Sequence, residues 1–264
     1  MTIKEKQNLF SNPPAEFRGK PFWAWNGKLE EQELLRQIDI MKEMGFGGYF
    51  MHSRTGLETE YLGKEWFELT NACAGYGEKQ GMESWLYDED RWPSGSAGGM
   101  VTKDEAYRAM FLDMVVVTDR DAHKHMDMYH LEKSSGEPDT VIRFACRLTE
   151  LGYREERILT DGELPLSGEA EVIFRIRYSE CKDVYNGFTY LNTMDKASVE
   201  RYLDVTHNAY ARSCEGRLGS SIAGIFTDEP HRGALFSTFP KDGKMQFLLH
   251  RGYLKNSRKG LVMI

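Results

Sequence analysis

The sequence predicts an α/β protein: a partial (β/α)₈ barrel of about four βα units, interrupted by an inserted antiparallel β subdomain. Three observations lead there. Four short apolar runs each end abruptly in polar or charged residues: "PFWAWN" (21–26), "GGYFMHSR" (47–54), "ESWLYDED" (83–90) and "IAGIFTDEP" (222–230). Helical periodicity joins the first three runs, and the central region is instead rich in Val, Ile and Phe between turn-forming stretches.

The first helix lies in "LEEQELLRQIDIMKEMG", where Leu34, Leu35, Ile38 and Met41 recur at steps of three and four, acidic residues open the segment and Gly45 closes it. A second helix is expected from Lys64 to Gln80, stopped by Gly81. Strand, helix, strand, helix, strand then follow in order, which is parallel α/β organisation. From 109 the pattern changes: "AMFLDMVVVTD", "DTVIRFACRL" and "AEVIFRIRYS" read as antiparallel strands separated by "SSGEPD" and "TDGELPLSGE". Helical spacing returns at Val199, Tyr202, Leu203, Thr206 and Tyr210, with Asp195 placed to cap the first turn. The expected divisions are 1–104 (strands 1 to 3), 105–185 (the β-rich insert), 186–240 (return to the barrel) and 241–264 (an atypical basic tail). That tail carries six Lys or Arg against one acidic residue, so a truncated or frameshifted piece of a larger protein is expected. An open half-barrel would leave strand edges and apolar surface for self-association.

Composition narrows the partners. A formal charge of −7 repels phosphate backbones, so nucleic acid is not expected. No run of about 18 apolar residues is present to cross a bilayer, and the amino-terminal segment lacks a signal-peptide core. A cytoplasmic chain without a membrane partner is the expectation. Cys73, Cys146, Cys181 and Cys214 stand far apart without zinc spacing and read as reduced thiols. His123 and His125 make only a weak metal pair and read as surface residues.

In a barrel, chemistry gathers where strands end. No G-x-G-x-x-G or phosphate-loop signature follows any strand, which argues against a dinucleotide-binding sheet. Glu229, beside Asp228 in "FTDEP", is the lead catalytic residue, because desolvation at an apolar strand end would raise its pKa into proton-donor range; the bland alternative is an acidic loop stopped by proline. In "YDEDRWPSG", Asp88, Glu89 and Asp90 must be separated, paired with Arg54 or Arg91, or neutralised by a cation or a polyol. Trp92 beside them has the flat apolar face that a sugar ring stacks upon, or it packs beneath a solvated turn. Trp23 and Trp25 share one side of their strand, with core packing as the alternative to a binding role for each. Asn26 could read a hydroxyl with both donor and acceptor. His52 and Arg54 also share a side, and the arginine could hold a carboxylate.

Together "PFWAWN", "GGYFMHSRTGLETEYL", "SWLYDEDRWPSGSAGG" and "IAGIFTDEP" resemble glycoside hydrolase family 106, the α-L-rhamnosidases, and related barrel glycosidases, over about residues 9 to 240. The resemblance implies a (β/α)₈ catalytic barrel with β-rich additions, inverting hydrolysis of terminal rhamnosides, and calcium as a cofactor. Inversion needs an acid on the leaving oxygen and a second carboxylate on water. Glu229 would supply one, and Glu89, Asp88 or a later strand the other. Trp25, Asn26, His52, Arg54, Asp88, Trp92 and Asp228 would then contact the carbohydrate. A non-catalytic carbohydrate-binding remnant is the alternative.

Overall fold

The computed structural model describes residues 1–117, 139–179, 181–231 and 245–248. His123, His125 and the basic tail, apart from 245–248, lie outside the described residues. The protein is mixed α/β, with a parallel sheet and an antiparallel sheet in two compact units.

The first unit comprises Met1–Val101, Val184–Asn186 and Glu200–Pro230. Its parallel sheet has the order β1 (Phe22–Gly27), β2 (Gly48–Leu57), β3 (Glu83–Tyr87), β8 (Ile222–Phe226). After a short amino-terminal helix, α1 (Ile3–Ser11), the connections are α2 (Glu31–Glu43) and α3 (Lys64–Lys79). Both helices stop at the glycines that the sequence marks, Gly45 and Gly81, each in the left-handed region with φ of 88° and 68°.

Strand alternation decides what the sheet presents. Trp23, Trp25, Tyr49, Met51 and Leu86 point to one face and pack with Leu34, Ile38 and Met41 of α2 and Trp66, Leu69, Cys73 and Ala74 of α3. Trp25 is 1% exposed, and its ring meets Trp66 edge-on at 4.9 Å. Each indole buried in this way removes a large apolar surface from water, so these rings dominate the core. The opposite face carries Phe22, Phe50, His52, Tyr87 and Phe226 in a chain of ring contacts from 3.7 to 6.3 Å.

The long helix expected after Asp195 is two: α4 (Lys196–Val205) and α5 (His207–Ser213). Asp195 does accept from the backbone N–H and hydroxyl of Ser198, at 3.2 and 2.7 Å. The break falls at Thr206, whose hydroxyl donates back to the Tyr202 carbonyl at 2.6 Å while its backbone leaves helical values, φ −109° and ψ −83°.

The second unit comprises Thr102–Asp183, Gly187–Val199 and His231–Ile264. Its antiparallel sheet has the order β6-β5-β7-β4-β9, formed by β4 (Met110–Val117), β5 (Asp139–Thr149), β6 (Gly152–Ile158), β7 (Ala170–Tyr178) and β9 (Met245–Leu248). Three of these strands match the apolar segments of the sequence. The edge strand β6, "GYREERI", has charge where a buried strand would have apolar residues, as exposed edges do.

Candidate functional site

The carboxyl ends of β3 and β8 lie side by side, because Tyr87 pairs with Phe226 in the parallel ladder and the Asp88 N–H donates to the Phe226 carbonyl at 3.2 Å. Asp88 and Thr227 therefore meet just past the strands. Asp88 is fully buried: its Oδ1 accepts the Ser94 hydroxyl and its Oδ2 the Thr227 hydroxyl, both at 2.6 Å. The His207 Nε2 stands 3.5 Å from the same Oδ2. Burial raises the Asp88 pKa, and the Ser94 and Thr227 hydrogen bonds oppose that rise. An ion pair with Arg54, one of the alternatives read from the sequence, is not among the described contacts of Asp88. Arg54 is exposed, and His207 at the start of α5 takes the place beside Asp88.

Glu89 is 2% exposed and enclosed by the loop that follows it. Its Oε1 accepts the N–H of Asp90 at 2.9 Å and of Gly98 at 2.6 Å, and its Oε2 accepts those of Gly95, Ser96 and Ala97, each at 2.8 Å. The run "SGSAGG" is thus a nest of backbone donors around one carboxylate. Burial pushes Glu89 up to about 7, while the N–H donors of Gly98, Ala97, Asp90 and Gly95 pull it down. Both oxygens face the loop's own amides, so the catalytic role anticipated for Glu89 lacks an accessible oxygen.

Asp90 accepts the Ser53 hydroxyl at 2.6 Å on one oxygen and the Asn186 amide on the other. The acidic run does not fit a calcium ion. Calcium needs several converging oxygens, whereas Asp88 turns to Ser94 and Thr227, Glu89 to the loop amides, and Asp90 to Ser53 and Asn186. Among the described residues no three His, Cys, Asp or Glu side chains converge as a metal site.

Past β8 stand two further carboxylates, Asp228 and Glu229. Asp228 is half-buried and accepts the Tyr87 hydroxyl on Oδ2 at 2.7 Å. Burial, then this hydrogen bond, drive the Tyr87 pKa well up, so the phenol stays a donor. Glu229 is exposed, with φ of 43°, and its Oε2 accepts the Trp92 indole N–H at 3.2 Å. The desolvation expected at Glu229 is therefore absent. Glu89 and Asp228 stand equally far past their strand ends, and it is the loop folding back over Glu89 that encloses it while Asp228 stays half-buried and Glu229 exposed.

His52 is 5% exposed, meets the Tyr87 ring edge-on at a centroid distance of 3.7 Å, and has a buried Nε2 without a hydrogen-bond partner among the described residues. Burial, helped by the Arg54 charge, lowers its pKa to about 4. Asn26 is exposed at the end of β1. Trp25 points to the helix-covered face and belongs to the core, as alternation from Trp23 requires. The sequence reading missed Tyr87, Ser94, Thr227 and His207. Tyr87 was discoverable from strand alternation with Trp85, whereas the other three depend on chain reversals that bring distant residues together.

No family model matches this chain, and no curated protein matches it. Among solved structures, a rhamnosidase from Novosphingobium sp. PP1Y aligns with a TM-score of 0.37 at 16% identity, over 58% of this chain and 17% of that chain. This chain therefore matches less than a fifth of that neighbour's length. No described helix is long and apolar enough to cross a membrane.

Proposed function

We propose that the first unit is part of a (β/α)₈ glycosidase barrel that hydrolyses terminal α-L-rhamnosides or similar sugars by carboxylate acid/base catalysis. The observation that carries this reading is the pairing of an aromatic ring with a water-exposed carboxylate, Trp92 Nε1 on Glu229 Oε2, at the carboxyl ends of parallel strands. A sugar stacks its apolar face on an indole while its hydroxyls and leaving oxygen meet charged acceptors and acids. Glu229 is the acid/base residue in this proposal, and Trp92 is the platform. Asp228, oriented by the Tyr87 hydroxyl, takes a sugar hydroxyl, and His52, Asn26 and Arg54 line the same end of the sheet.

A second reading, a carbohydrate-binding remnant without turnover, is favoured by the enclosure of Glu89, which removes one carboxylate from an acid/base pair. One experiment separates the two. Hydrolysis of an aryl α-L-rhamnoside is expected, with Glu229→Gln lowering kcat roughly 10²- to 10⁴-fold. Saturable rhamnose binding without turnover, indifferent to Glu229→Gln, would select the remnant. Neither binding nor turnover would reject both.

A further inference from the structure

Building on the carbohydrate reading, we infer that Glu89 is a positioning residue: its carboxylate is the template on which the 90–98 loop closes, and through Ser94 and Trp92 it sets where Asp228 and Glu229 stand. Backbone amides turned away from water need acceptors, and this loop reverses too tightly for its own carbonyls to serve them all. The Glu89 carboxylate collects the N–H groups of Asp90, Gly95, Ser96, Ala97 and Gly98, and the Ser96 hydroxyl lies 3.4 Å from Oε1.

Residue size follows from that arrangement. Ala97 and Gly98 adopt φ of 51° and 63°, which turns successive N–H groups inward, and a Cβ at Gly98 would lie 3.1 Å from the Asp90 Cβ. Closing the loop fixes Ser94. Its N–H donates to the Asp228 carbonyl at 2.8 Å, and its hydroxyl accepts the Asp228 N–H at 2.8 Å while donating to Asp88 at 2.6 Å. Trp92, in the same loop, holds Glu229. The carboxylate thus acts through two residues of its loop on two residues of the β8 end, without itself meeting a substrate.

The test uses amide and indole NMR signals of the full chain at pH 8, which need no substrate and so stand apart from the fate of the rhamnosidase reading. In the unsubstituted protein the Gly95, Ser96, Ala97 and Gly98 amides should exchange at least about 100-fold more slowly than an open loop. Glu89→Gln places an amide donor among these donors. It should speed their exchange by about tenfold or more and shift the Asp228 amide and Trp92 indole signals, with the core indoles of Trp25 and Trp66 unmoved. Ser94→Ala should leave the slow exchange of Gly95 to Gly98 intact yet still shift the Asp228 amide. Rapid exchange of those amides in the unsubstituted protein would overturn the proposal, as would unmoved Asp228 and Trp92 signals in a folded Glu89→Gln chain. If Glu89→Gln does not fold, exchange in the unsubstituted protein and the Ser94→Ala shift decide the matter.

Discussion

His52 on β2 and Asp88 just past the end of β3 meet burial in opposite ways. Asp88 keeps two hydroxyl donors and an imidazole around its oxygens, so its desolvation is partly offset. His52 has aromatic neighbours, Phe22 and Tyr87, and an unpartnered Nε2, so its neutral form is the one the fold accepts. Its folded pKa of about 4 lies below the ordinary 6.5. The unfolded chain therefore binds the extra proton between those values, and stability is full above pH 6.5 and is lost as pH falls towards 4. From pH 7.5 to pH 5 the loss from this one group is about 2 kcal/mol. His52→Phe keeps a ring between Phe22 and Tyr87 and removes the titration. Urea unfolding at the two pH values should show a shallower acid slope by that amount, with stability at pH 7.5 retained. An unchanged slope would mean that His52 is not held neutral.

At the scale of elements, contact between α3 and the sheet depends on a missing side chain. The Tyr49 hydroxyl donates to the Cys73 carbonyl at 2.7 Å and accepts from Ser84 at 3.1 Å, which ties β2, β3 and α3 together. A Cβ at Gly77 would stand 2.3 Å from the Tyr49 oxygen. Alanine favours an isolated helix over glycine by about 1 kcal/mol, but overlap in a packed core costs about 1–3 kcal/mol. Gly77→Ala is therefore expected to lower the thermal midpoint, and adding Tyr49→Phe, which removes the clashing oxygen, should recover part of the loss in a double-mutant cycle. Such a contact is invisible in the sequence, where Gly77 reads as a poor helix former. The ends of α2 and α3 were legible because apolar spacing and a terminal glycine are local signals. The break at Thr206 was not, since a side-chain bond to Tyr202 competes with helix continuation, and β6 hid behind its charged residues. At the candidate site, the sequence marked the strand ends where acidic and aromatic residues gather, Asp88 to Trp92 after β3 and Asp228 and Glu229 after β8. It could not separate enclosed Glu89 from exposed Glu229, because that depends on how the intervening loop folds back.

For the whole molecule, each compact unit has its own sheet and its own apolar cluster. Among the described residues, a cluster in the first unit includes Trp25, Ile38 and Trp66, and one in the second joins Cys146, Ala170 and Val172 with Met114, Val116, Phe144 and Phe174 packed around them. All five tryptophans, at 23, 25, 66, 85 and 92, belong to the first unit, so their fluorescence reports that unit, while far-UV circular dichroism reports strands and helices of both. Phe144, half-buried and edge-on to Phe174 at 6.2 Å, offers a selective perturbation. Phe144→Ala should cost about 2 kcal/mol locally, given its partial burial. The dichroism midpoint in urea is then expected to fall while the tryptophan midpoint holds, because non-coincident probes mark separate transitions. If both midpoints fall together by the same amount, the two clusters unfold as one cooperative body.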